Sequence, residues 1–254
     1  MNRTILIAGK DFPDGKGLAS AAVLHGRTTV ITASPEADEK TSQDGAVPVV
    51  WNRGSALSSR SLVISAMNQD GNFDEAVFVF DEEFFASKYG SLGPAESNRV
   101  CDELILSYQY LAGEVLNRFT QKKTDDSERK AGKIAFVYKS NVNQAEIIKN
   151  PNLSAQTKCV SKVLVAAAGA AFKAFAENFA AAVSDSPEVI PVLAECDGLN
   201  ETAKKDSSLM GWLCEYLDQL DTMKKSLTAK QKISWVKAGA KGAAGFNLAF
   251  PFKK

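Results

Sequence analysis

The chain has 254 residues, 45% apolar and 24% charged, with 30 basic side chains balanced by 30 acidic ones and a single histidine. Zero formal net charge supplies no bulk field for nucleic acid or an anionic membrane, and the apolar fraction is that of a globular domain with a substantial core. Cys101, Cys159, Cys196 and Cys214 form no CxxC pair and have only His25 beside them; this argues against a zinc site or a disulfide scaffold and for a reducing, cytoplasmic setting.

The N-terminus enters an apolar run within four residues, without the pattern of a secretory signal. Residues 5–8 read as a strand, 18–25 as a helix, 28–32 as a second strand, "VPVVW" (47–51) as a third and 56–67 as a helix. "AVFVF" (76–80) follows as a fourth strand, 97–119 as a long helix, "KIAFVY" (133–138) as a fifth strand and 156–183 as another long helix. "VIPVLAE" (189–195) is a sixth strand, 208–225 a helix and "GFNLAF" (245–250) a short last strand. Strands this continuously apolar are expected to be covered on both faces, so the alternation predicts a doubly wound α/β domain: a mostly parallel sheet, helices on both sides, one domain over 1–254.

Two polar stretches interrupt the pattern. "TQKKTDDSERKAG" (120–132) reads as a solvated loop, and "CDGLNETAKKDSS" (196–208) either as a segment covering a site or as a surface connection. The longest run of apolar and small residues, 163–172, stops at Lys173, short of the roughly 20 residues a membrane helix needs. No membrane or nucleic-acid partner is expected.

The first turn, "GKDFPDGKGLA", puts Gly9, Gly15 and Gly17 between a strand and a helix. Glycines there allow close backbone approach, and a helix N-terminus offers N–H groups to a phosphate. The turn therefore holds a nucleotide or is kept for packing helix to sheet. Together with "FDEAVFVFD", "GKIAFVYKS" and "SKVLVAAAGAAFKAFAENFAAAV", it makes nearly the whole chain resemble the short-chain dehydrogenase/reductase family, which implies a Rossmann-like fold and an NAD(P) cofactor.

Under that resemblance Gly9, Gly15 and Gly17 hold the cofactor, with Lys10 or Lys16 offsetting Asp11 and Asp14. Five residues separate Gly9 from Gly15 where the family has three. The second strand ends in Thr32, Ala33 and Ser34 rather than in an acid, which favours NADP over NAD, with the Thr32 and Ser34 hydroxyls as phosphate partners; Ser34-Pro35 reads equally as a strand-ending turn. The family's acid/base tyrosine and its lysine four residues later align with Lys158 and Lys162. Lys158 would need its pKa lowered by roughly three units to act as a base at neutral pH. Ser140, or Lys139, takes the serine position, Leu104 the asparagine position, and Tyr138 is a substitute acid. Lys162 is either a ribose ligand or an exposed helix lysine.

The alanine-rich helix with Phe172, Phe175 and Phe179 resembles the family helix that packs on its twofold mate, implying a homodimer or homotetramer; the alternative is burial against its own sheet. Two functions follow from the resemblance. One is an NAD(P)-dependent oxidoreductase of a small carbonyl or alcohol with altered catalytic residues. The other is a non-catalytic member that binds a nucleotide or a protein partner.

Overall fold

The computed structural model describes residues 3–34, 45–69, 72–90, 92–121, 130–155, 160–196, 205–223 and 227–240. Strands β1 (Arg3–Phe12), β2 (Arg27–Ala33), β3 (Ala46–Val50), β4 (Asn72–Asp81), β5 (Gly132–Lys139), β6 (Val189–Cys196) and β7 (Trp235–Lys237) form one sheet. Their order is β3-β2-β1-β4-β5-β6-β7, and every neighbouring pair is parallel. The strand order reverses between β1 and β4, and ligands of open α/β sheets bind at such a point, beyond the carboxyl ends of the strands.

The period-2 geometry of β1 divides the core. Ile5 and Ile7 pack on one face with α1 (Lys16–Leu24) and α8 (Asp206–Thr222), whereas Leu6 and Ala8 pack on the other with α2 (Ala56–Met67), α5 (Ser107–Thr120) and α7 (Val163–Ala182). All four β1 residues are fully buried, which is why the strand carries no apolar/polar alternation. The doubly wound, three-layer expectation is met.

Most expected elements appear with ends shifted by a few residues. Two short helices, α3 (Glu82–Lys88) and α4 (Pro94–Val100), follow β4; α4 runs through a π-helical turn (Cys101–Leu106) directly into α5. α6 (Gln144–Lys149) follows β5, and α9 (Ala229–Lys232) precedes β7, a strand absent from the sequence expectation. The strand expected at 245–250 lies outside the described residues, as do most of the two polar stretches.

Helix α7 starts at Val163 rather than near 156. Ser161 is bridged to Asn143, its N–H donates to the Val142 carbonyl, and Lys162 is extended (φ −80°, ψ 152°), so the helix cannot begin earlier than the residue after it. Phe172, Phe175 and Phe179 each meet Phe136 of β5, at ring-centroid distances of 5.9, 5.9 and 5.3 Å. The aromatic stripe thus faces the chain's own sheet. α7 is long and apolar enough to cross a membrane by length and composition, yet Val165, Ala168, Phe172, Ala176 and Ala180 bury its inner face in the core.

Helix α8 is held at its C-terminal end by a buried charge network where the strands begin. Glu75 of β4, fully buried, meets Arg3, Arg27 and Lys133 at 3.3, 3.2 and 3.3 Å. Those cations in turn reach the helix: Arg27 pairs with Asp218 at 2.7 Å, Lys133 with Asp221 at 2.8 Å, and Arg3 with both aspartates. Between the helix ends, Leu209, Met210, Leu213, Cys214, Leu217 and Leu220 form the buried stripe.

Candidate functional site

At the switch point the main chain is built around its glycines. Gly9 has φ +117°, and a Cβ there would lie 1.9 Å from the Val79 carbonyl oxygen of β4, so β1 and β4 approach closely only because this residue has no side chain. Gly15 faces inward: a Cβ would stand 2.2 Å from the Lys10 carbonyl oxygen. Three of the turn's donors are used within it: the N–H groups of Gly15, Lys16 and Leu18 donate to the carbonyls of Asp11, Pro13 and Gly15. Lys16, the first residue of α1, is exposed. Gly17 receives the first turn of α8, with Asp206 Cβ 3.2 Å from where its own Cβ would be.

Four charged side chains close over this backbone. Lys10 Nζ lies 3.2 Å from Asp81 Oδ2 and 2.7 Å from Asp206 Oδ2; Lys139 Nζ lies 2.7 Å from Asp81 Oδ2 and 2.9 Å from Asp206 Oδ1. The ring joins the ends of β1, β4 and β5 to the start of α8 and is neutral as a unit. Asp81 also caps α3, its Oδ1 accepting from the Phe84 N–H at 3.2 Å. Burial alone would raise the Asp81 pKa, but Lys139 and Lys10 outweigh it and hold the carboxyl below its ordinary value. Burial would lower Lys139, but Asp81 and Asp206 outweigh it and hold the ammonium above its ordinary value.

A second hydrogen-bonded group occupies the ends of β1 to β3. Thr32 Oγ1 donates to Asp11 Oδ1 at 2.6 Å, and Arg53 Nη2 donates to the same carboxylate at 3.0 Å and to the Gly9 carbonyl at 2.6 Å. The Arg53 guanidinium lies 4.8 Å from the Trp51 ring centroid and 5.4 Å from that of Phe85. Burial opposes its charge, and Asp11 restores it and raises the pKa. The Thr32 hydroxyl, expected to face a ribose phosphate, is thus donated to the chain's own carboxylate. Ser34 is half-buried at the edge of the described segment.

Of the residues expected to supply the chemistry, Tyr138 and Ser140 have partners within the chain. Tyr138 Oη donates to Glu82 Oε1 at 2.6 Å, and Glu82 Oε2 accepts from the Asn141 N–H at 2.8 Å. Burial and then the Glu82 hydrogen bond push the Tyr138 phenol above its ordinary pKa, opposite to the shift a phenolate base needs. Burial also raises Glu82, more than Tyr138 and Asn141 lower it. Ser140 reaches the Cys196 carbonyl through its N–H at 2.9 Å and its hydroxyl at 3.4 Å, tying β5 to β6. Lys162 is the exposed N-cap residue of α7, and Lys158 lies outside the described residues. Leu104 is fully buried within the π-helical turn.

Sequence reasoning missed Arg53, Asp81, Glu82 and Asp206. Asp81 had a readable signal: an aspartate ending an apolar strand and followed by two glutamates is an N-cap with an acidic first turn. Arg53 and Asp206 had none, because their partners lie 42 and more positions away.

In this arrangement Lys10 and Lys139 are each shared between two carboxylates, and the N–H groups of Gly15, Lys16 and Leu18 are bonded to carbonyls of the turn, so these groups are not open to a pyrophosphate. Arg53 keeps one buried nitrogen, Nη1, without a hydrogen-bond partner among the described residues.

No family model matches the chain. An uncharacterized protein of Treponema pallidum (strain Nichols) is 24% identical over 199 residues, 78% of this chain and 75% of that protein. Among solved structures, a short chain dehydrogenase from Mycobacterium smegmatis is 14% identical with a TM-score of 0.57, covering 94% of this chain and 93% of its own. A 3-ketoacyl-(acyl-carrier-protein) reductase from Brucella melitensis, solved with NADH, is 13% identical with a TM-score of 0.55, covering 93% and 96%. Actinorhodin polyketide ketoreductase, solved with NADPH, is 12% identical with a TM-score of 0.52, covering 77% and 69%. At these identities the likeness is one of architecture: the chain has the Rossmann-like fold of the short-chain dehydrogenase/reductases.

Proposed function

We propose that the chain is a divergent, non-catalytic member of the short-chain dehydrogenase/reductase family, a single cytoplasmic domain over 1–254 that binds a nucleotide or a protein partner through the retained fold. The observation that carries this reading is the neutral ring of Lys10, Asp81, Lys139 and Asp206 in the crevice where the cofactor of such folds lies. The bonding of Tyr138 to Glu82 supports it, since a phenol with a raised pKa does not replace the family's activated tyrosine. Net neutrality supports neither a nucleic-acid nor a membrane partner. The outer face of α7, with Val163, Ala167, Ala170 and Ala174 exposed, supports a homodimer or homotetramer.

The second reading is an NAD(P)-dependent oxidoreductase acting on a small carbonyl or alcohol with rearranged acid/base groups, in which Gly9, Gly15, Gly17, Lys10, Lys16, Thr32 and Ser34 hold the cofactor and Ser140, Lys162, Lys158 and Tyr138 supply the chemistry. The NADH and NADPH of the similar solved structures favour it. Titrating the purified protein with millimolar NADPH and NADH decides between them. Under the first reading a panel of aldehydes and ketones produces no NADPH oxidation, and any rise in melting temperature with either nucleotide reports binding without turnover. Turnover with any of them establishes the second reading.

A further inference from the structure

The two ends of α8 are held differently. Its C-terminal end carries Asp218 and Asp221 into a network whose centre, Glu75, is fully buried, with Arg27 4% and Lys133 2% exposed. At its N-terminal end the charged side chain that ties it down among the described residues is Asp206: Ser207 and Ser208 are exposed, and the buried stripe begins at Leu209. The Asp206 carboxylate spans the two lysines, one oxygen on each, and its Cβ rests on Gly17. In charge and placement it is the anion of a site whose cations are Lys10 and Lys139. With that carboxylate removed, the two ammoniums share only Asp81, and the ring changes from neutral to a net charge of one positive.

We propose that Asp206 is an internal plug, an autoinhibitory contact that keeps a phosphoryl-binding seat made by Lys10 and Lys139 closed, and that displacing the first turn of α8 opens the seat while the rest of the helix stays docked. The proposal rests on the reading that the resting crevice is closed, and it adds the residue that closes it and the class of ligand that competes. A phosphoryl group carries the charge and the several acceptor oxygens to replace one carboxylate across two ammoniums, and its gain is set by the lysines rather than by the shape of a particular nucleoside. The buried stripe from Leu209 to Leu220 and the Asp218/Asp221 anchors give the remainder of α8 a reason to stay in place.

The test compares the wild-type protein with D206N and, in parallel, D206A, each first shown to unfold cooperatively; the second variant guards against one of them failing to fold. Inorganic phosphate and NADPH are the probes, read by thermal shift and titration calorimetry at fixed ionic strength. The expected result is no phosphate effect on the wild type, an affinity for phosphate at least tenfold tighter in both variants, and loss of that gain when K139M is added. Amide exchange is expected to speed up at residues 15–18 and 206–209 in the variants and to stay unchanged at 213–220. A gain for NADPH beyond that for phosphate assigns the seat to a nucleotide, and a gain for phosphate alone assigns it to smaller phosphorylated compounds; both support the plug. Equal phosphate binding by wild type and variants, or folded variants that gain none, overturns it. Wild-type turnover of NADPH instead overturns the non-catalytic reading, so the two failures are told apart.

Discussion

The two charge networks at opposite ends of the sheet are built from the same residue types and do different work. The lower one surrounds Glu75, whose carboxylate meets three cations on three strands, and those cations continue to the end of α8. Its core is dry, so each partner is retained by the cost of leaving the others unpaired. The upper ring has side chains 14–16% exposed around a 4% exposed Asp81, and it sits where the sheet reverses its strand order. Charge buried in the interior fastens the fold, whereas charge at the rim of the crevice can be exchanged for a ligand's at lower cost, because water already reaches it.

Breaking the lower network is expected to have the largest effect. Glu75→Gln leaves Arg27 and Lys133 without their shared carboxylate in a dry site and is expected to destabilise the protein by about 3–5 kcal/mol in urea unfolding. A loss under about 1 kcal/mol would mean that the centre is not Glu75.

Asp81→Asn, which keeps an N-cap oxygen for Phe84, is expected to cost less, about 1–2 kcal/mol near neutral pH. The pH dependence sharpens the contrast. Asp81 has a folded pKa below its ordinary value of 3.8, so its contribution is fully present above that value and is lost as pH falls through the lower, folded pKa. The wild type and D81N should therefore converge only on the acid side of pH 3.8; convergence already at pH 6 would show that the lysine pairing does not hold in solution.

The smallest effect has the opposite sign. Asp74 borders the lower network, and burial followed by repulsion from Glu75 pushes its carboxyl up to about 6. A folded pKa above the unfolded one penalises the ionised form; the penalty develops as pH rises from 3.8 to about 6 and is complete at pH 7. Asp74→Asn is expected to stabilise by about 1 kcal/mol at pH 7, after discounting for partial solvent screening, and to have no effect below pH 3.8. A gain independent of pH would assign it to packing rather than charge.

The strands and the α/β order were legible because burial on both faces writes itself as continuous apolar runs such as "ILIA" and "AVFVF". The start of α7 was less legible, since the Ser161 bridge to Asn143 forms between residues 18 positions apart. β7 was not legible: three residues pairing with β6 leave no period to read.

For the candidate site, the sequence by itself determined that a glycine turn meets a helix at the end of the first strand, and that a lysine, Lys158, stands four residues before Lys162. Local chemistry suffices for both, because backbone permissiveness and residue identity need no partner. Only the tertiary structure decided what fills the turn. Lys10, Asp81, Lys139 and Asp206 are scattered over almost 200 positions and read separately as strand ends and a helix start. Charge pairing depends on distance in space, and it was the parallel pairing of β1, β4 and β5 beneath α8 that brought each lysine within 2.7–3.2 Å of both aspartates.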